Sequence, residues 1–165
     1  MSTLKSLIEI EGIWQRRMEQ AEEALRECQR REILANQALE DARLTLANYV
    51  ERLPGLIEQL YVDCIGHMVS LQFVQDKAHD EAQLRARVAE YRAEVTEAEK
   101  ALDTAKEAVK TAQAVLNKER VKLEAMRDLI KKERIQIAIA DGRSLAKTLD
   151  DLAGSKFARG LRKAS

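Results

Sequence analysis

Stepping from Leu4 alternately by three and four residues reaches Leu7, Glu11, Trp14, Met18, Ala21, Leu25, Cys28, Glu32, Ala35, Leu39, Ala42, Leu46, Tyr49 and Leu53. Only Glu11 and Glu32 are polar, so this is a sustained heptad seam. The same stepping from Leu84 reaches Val88, Tyr91, Val95, Ala98, Leu102, Ala105, Val109, Ala112, Leu116, Glu119, Leu123, Met126, Ile130, Glu133, Ile137 and Ala140. A 3.5-residue repeat keeps its apolar stripe facing a partner only when two helices supercoil. Each segment therefore needs a second strand, and the two can serve each other. At about 1.5 Å per residue, arms of this length extend roughly 75 to 100 Å, which predicts a rod.

Residues 53–73, LPGLIEQLYVDCIGHMVSLQF, interrupt the pattern and contain the one proline. Pro54 lacks the amide that would bond to the carbonyl of Val50, so the first helix is expected to bend there and continue, because Leu56, Ile57, Leu60, Tyr61 and Cys64 keep helical spacing. Gly66 suits a C-terminal cap and Ser70 an N-cap. A link this short forces the arms antiparallel. The predicted fold class is all-α, a long antiparallel two-helix coiled-coil hairpin. Its expected parts are a first arm, 1–65, kinked near Pro54, a turn at 66–70, a second arm at 71–141, and an amphipathic, basic tail at 142–165. With the seams in phase, Leu53 faces Leu84, Leu56 faces Glu81, Leu60 faces Lys77 and Asp63 faces Val74. Apolar pairing then fails beyond Leu53, and the turn carries an apolar excess that either closes on itself or invites a partner.

Composition agrees with long helices: 34% of residues are charged and 4% aromatic, with six glycines and one proline. That is poor material for a compact core but good material for helix. Lys plus Arg equals Asp plus Glu at 28 each, so no net field steers the chain toward nucleic acid or an acidic membrane. Pairs such as Glu22/Arg26, Glu27/Arg31 and Asp128/Lys132 fit solvated helix faces. With no signal-peptide pattern and no apolar run long enough to span a bilayer, the expected location is cytoplasmic, with Cys28 and Cys64 reduced.

No glycine-rich phosphate loop, G-x-S-x-G elbow or H-E-x-x-H pair occurs. The expectation is therefore no enzyme, no catalytic residues, no cofactor and no metal. Cys64, His67 and His79, with Asp63, Asp76 and Asp80, are the one conceivable ligand set, but their spacing fits no compact zinc motif. Glu11, Glu32, Glu119 and Glu133 read as polar seam positions that fix register. After Asp141-Gly142, which reads as a helix stop, Leu145, Leu149 and Leu152 mark a short amphipathic piece. Lys156, Arg159, Arg162 and Lys163 follow as a basic tail, whose commonest reading is fraying and whose other reading is attraction to an acidic partner or lipid surface.

Four stretches taken together carry a resemblance: the arm IWQRRMEQAEEALRECQRREILA, the break Y-x-x-x-L-P, the LY dipeptide before IGHMVSL, and the second arm opening LRARVAEYRAEVTEAEKAL. Over residues 10–140 the chain resembles the central stalk proteins of bacterial type III secretion, the YscO/FliJ type. The resemblance implies a non-enzymatic hairpin, similar to the paired helices of the rotary ATP synthase gamma subunit. It implies a monomer on its own, with neither nucleic-acid binding nor membrane insertion, peripheral to the inner-membrane secretion apparatus. The implied partners are the hexameric secretion ATPase, the cytoplasmic domain of the export gate and, for some members, export chaperones. Mapped by position, Arg16, Arg17, Arg127, Lys131 and Arg134 face the ATPase, while Tyr49, Leu53, Leu60, Tyr61 and Phe73 lie toward the gate. The alternatives are a hairpin factor acting on nucleic-acid machinery, a membrane-associated coiled-coil scaffold, and coils paired between chains.

Overall fold

The computed structural model describes residues 2–164, and among these no strand occurs. α1 (Ser2–Tyr61) and α2 (Leu71–Ala164) are the arms of an antiparallel helical hairpin, joined through a 3-10 turn at Val62–Cys64. The chain divides into two compact units. One combines α1 up to Glu22 with α2 from Val115 onward, and the other is Glu23–Ala114. In the first, Glu22 meets Arg120 and Glu11 meets Arg127. In the second, Tyr61 meets Glu81, and Arg43 meets Glu99. Falling numbers in α1 meet rising numbers in α2, as antiparallel arms of one chain require. Pairing between chains is not needed to cover the seam.

Burial follows the heptad positions. From Leu4 to Leu53 and from Leu84 to Ile137 every seam residue is buried or half-buried. Ala21, Leu116, Leu123, Met126 and Ile130 form the core of the first unit, and Leu25, Leu39, Tyr49 and Leu102 that of the second. Small seam residues such as Ala35, Ala42, Ala98 and Ala105 let the helices approach closely but remove little apolar area per layer. The core is thus a line of modest contacts.

The seam glutamates are half-buried. Glu11 accepts a hydrogen bond from Arg127 Nε across the hairpin, at 3.1 Å. Glu119 lies 3.8 Å from Lys122, and its Oε2 is buried without a hydrogen-bond partner. On the outer faces Glu27 pairs with Arg31 as the spacing predicts, at 3.5 Å. The shortest such pair joins Glu23 to Arg26 at 2.7 Å. Its hydrogen bond and charge hold the Glu23 carboxyl below the usual carboxylate range. Exposed pairs of this kind contribute little to stability.

α1 runs through Pro54 to Tyr61. Val50 and Pro54 are both exposed, so water can take over the carbonyl that loses its helical donor. Regular α-helix then ends four residues before the expected boundary at Ile65, in the 3-10 turn that Ile65 N–H closes onto Val62 O at 3.2 Å. Gly66 has φ +73°, a conformation that side chains disfavour, so it reverses the chain after this turn and does not cap α1 directly. Ser70 is the N-cap of α2, its Oγ accepting from Phe73 N–H at 3.1 Å. Near the turn the register departs from expectation. Cys64 and Phe73 are half-buried, whereas Asp63 and Val74 are exposed. Inward positions there recur at steps of four (Leu60 to Cys64, Phe73 to Lys77 to Glu81), nearer the 3.6 period of a straight helix than the 3.5 of a supercoil.

The predicted stop at Asp141-Gly142 does not occur, since α2 continues unbroken to Ala164. One glycine costs about 1 kcal/mol relative to alanine in a helix interior, and good helix formers on both sides outweigh it. What ends near Ile137 is the pairing. Every described residue from Ala138 to Lys163 is exposed.

Candidate partner-binding surfaces

The five residues mapped toward the gate take different places. Tyr49 is 2% exposed. Its ring lies 5.0 Å from that of Tyr91, and its hydroxyl donates to Leu84 O at 2.6 Å. It serves the hairpin's own core. Leu53, Leu60, Tyr61 and Phe73 are half-buried. Lys77 covers Phe73, with Nζ 5.1 Å from the ring centre. This cation–π contact, between residues one helical turn apart on α2, lets a lysine occupy an inward position. The truly exposed apolar side chains are others: Val62 at 55%, Ile65 at 72%, Met68 fully, and Leu71 at 74%. Val62 opens the 3-10 turn, and Ile65, Met68 and Leu71 follow it on either side of Gly66, where neither arm covers them.

Tyr61 and Glu81 tie the arms together just below this patch. The Tyr61 hydroxyl donates to Glu81 Oε2 at 2.6 Å, and Arg85 donates to Oε1 of the same carboxylate at 2.9 Å. The Tyr61 hydrogen bond, then Arg85, holds the Glu81 carboxyl below its usual range. The same bond, aided by desolvation and the nearby negative charge, pushes the Tyr61 phenol above its usual value. A depressed carboxyl pKa contributes stability present above the unfolded value and lost as pH falls through the folded one. A raised phenol pKa contributes stability present below the unfolded value and lost as pH rises through the folded one. The tie therefore holds across neutral pH. In a carboxyl NMR titration Glu81 is expected to have a midpoint below that of an ordinary glutamate, moving upward in Tyr61→Phe. An ordinary midpoint in the unmutated protein would refute the tie.

In the first unit the residues mapped toward the ATPase separate into two sets. Arg127, Lys131 and Arg134 share a groove of about 400 Å³ with Glu11, Ile130, Ile135 and Ala138. Their spacing of four and three residues places them on one helix face. Arg127 is held across the hairpin, donating from Nε to Glu11 and from Nη2 to Gln15 Oε1 at 2.8 Å. Lys131 and Arg134 are exposed beside it. Arg16 and Arg17 are exposed on α1 and do not line this groove, and Arg16 Nε donates to Gly12 O at 3.3 Å. Of the doublet Arg30-Arg31, Arg30 pairs with Glu23 and Glu27, and Arg31 with Glu27.

Among the described residues no three His, Cys, Asp or Glu side chains converge as a metal site would need. His79 sits against Gln83, and His67 Nδ1 lies 2.9 Å from Ile65 O, inside the turn. No described helix is long and apolar enough to cross a membrane.

These features define a coiled-coil hairpin with an apolar turn in one unit and a basic groove in the other. A family model described as type III secretion protein YscO matches residues 4–145, and the chain belongs to that family. It is a type III secretion protein. Neither the curated proteins nor the solved structures give a match.

Proposed function

We propose that this YscO-family hairpin is the non-enzymatic central stalk of a type III secretion apparatus, joining the hexameric secretion ATPase to the cytoplasmic domain of the export gate. The observation that carries the reading is the separation of two unlike surfaces onto two units of one hairpin. The groove of Arg127, Lys131 and Arg134 suits acidic side chains of the ATPase, with electrostatics setting encounter and orientation. Arg127, already fixed by Glu11 and Gln15, orients the groove, and Lys131 and Arg134 supply the free charge. The exposed turn of Val62, Ile65, Met68 and Leu71 suits an apolar recess of the gate or of a secretion chaperone. Leu53, Leu60, Tyr61 and Phe73, half-buried on the arms beside that turn, add their accessible parts to the same proposed surface.

The reading is tested with a purified hexameric secretion ATPase. Substoichiometric hairpin is expected to stimulate hydrolysis, and Lys131→Glu with Arg134→Glu to weaken that stimulation roughly tenfold while helicity is unchanged. A hairpin that neither binds nor stimulates the ATPase removes the stalk assignment.

A further inference from the structure

The last part of α2 is left over from the hairpin. Continuing the heptad steps past Ala140 gives Ser144, Lys147, Asp151, Gly154 and Ala158, a stripe with no large apolar residue. A third helix in coiled-coil register would find nothing to bury there. The large apolar residues lie elsewhere on the same helix. At 100° per residue Leu145, Leu149, Leu152, Phe157 and Leu161 fall within one half of the helix circumference, and each is at least 55% exposed. Lys147, Asp151, Ser155 and Thr148 lie on the opposite half, while Asp150 falls within the apolar half near its edge, between Phe157 and Leu161.

Charge separates this segment from the rest of the chain. The protein as a whole is neutral, yet residues 143–163 hold six basic and two acidic side chains, a net charge of +4. All the acid lies before Leu152. Lys156, Arg159, Arg162 and Lys163 follow with no carboxylate among them. Lys156 and Lys163 project beside Leu145 and Leu152, at the margin of the apolar half, where long stems can run along an apolar surface and bring their ammonium groups to its polar boundary.

We propose that residues 143–163 are a peripheral binding element for an anionic lipid surface, lying in its plane with the apolar half turned toward the acyl chains and the basic residues among the headgroups. Wide apolar arc, basic flank and no spanning length are the attributes of an interfacial helix. A flat anionic bilayer complements both the arc and the concentrated charge, whereas a helical partner following the steps Leu145, Leu149 and Leu152 would meet Lys156, Arg159 and Lys163 next and find no further apolar layer. This binding is separate from the ATPase and gate contacts proposed above.

The test is co-sedimentation of the full chain with phosphatidylcholine vesicles, with and without phosphatidylglycerol. Binding is expected only with phosphatidylglycerol and should fall as salt is raised. Leu149→Asp with Phe157→Asp should weaken it at least about tenfold, as should Lys156→Glu with Arg159→Glu. Both pairs lie outside the paired seam, so circular dichroism and melting of the hairpin should stay unchanged. Absence of vesicle binding, or binding that survives both variants, overturns the proposal. So does loss of ATPase stimulation in these variants without any vesicle binding, which would assign the segment to a protein partner.

Discussion

Tyr49→Ala is expected to cost the Glu23–Ala114 unit about 3 kcal/mol. Three things disappear together. The ring is nearly fully buried at 2% exposure, so its removal leaves a hole between two rigid helices. The tilted contact with Tyr91, at 5.0 Å, loses one member. The hydroxyl's bond to Leu84 O, at 2.6 Å, is lost as well. Tyr49→Phe isolates the last of these and should cost about 1 kcal/mol. Hydrogen exchange read residue by residue is the suitable measurement, because protection should fall around Leu46–Leu53 and Leu84–Tyr91. Unchanged protection in Tyr49→Ala would mean that the tyrosine faces a partner and not the second arm.

Leu123→Ala should have a comparable effect in the other unit, again about 3 kcal/mol. Leu123 is 1% exposed and, with Leu116 at 2%, one of the most deeply buried side chains of the hairpin. Met126 and Ile130 continue the same line. The α1 seam positions between Glu11 and Glu22, which pair with Arg127 and Arg120, are Trp14, Met18 and Ala21, and in a two-stranded seam these side chains are held by their own helix and fill the vacated space only in part. Urea denaturation followed by circular dichroism gives the free energy. Exchange around Leu116–Ile130 should report the loss locally while the Tyr49 layer keeps its protection. A cost below about 1 kcal/mol would show that the helices close over the gap, contrary to the rigid packing expected of a two-stranded seam.

These two substitutions also mark the border between what periodicity reveals and what it does not. Tyr49 and Leu123 are both visible as seam positions, and the hairpin buries both. Periodicity turns Tyr49 inward just below the break, where family resemblance puts it toward the gate, but it does not show that the ring meets Tyr91 or that the hydroxyl bonds to Leu84 O. Tyr61 shows the same difficulty. Its helical spacing from Ile57 marks it as part of an apolar excess, whereas the hydrogen bond to Glu81 depends on how far two side chains from opposite arms reach. The exposed set of Val62, Ile65, Met68 and Leu71 is hidden for a related reason. A turn has no period, so its outward residues emerge only once φ at Gly66 and the 3-10 turn are in place.

At the other end the discrepancy runs the opposite way. Asp141-Gly142 carries a local stop signal, yet the helix passes through it, because one unfavourable glycine is outweighed by its flanks. The end of pairing near Ile137 is foreshadowed by the weakening of the heptad pattern after Ala140.

The arms, their seam, the antiparallel reversal and the Ser70 cap follow from the amino-acid order, since each depends on contacts repeated every few residues or on a side chain bonding its own backbone. The tie from Tyr61 to Glu81, the clasp of Arg127 by Glu11 and Gln15 and the inward turn of Phe73 belong to the folded hairpin. These join or cover residues according to the relative depth and rotation of two helices, whereas the persistence of α2 to Ala164, along a stretch exposed from Ala138 to Lys163, rests on local propensities summed over many residues. A periodic code says which face turns inward. Only the packed arms establish which atoms meet there, and so which side chains are left for a partner.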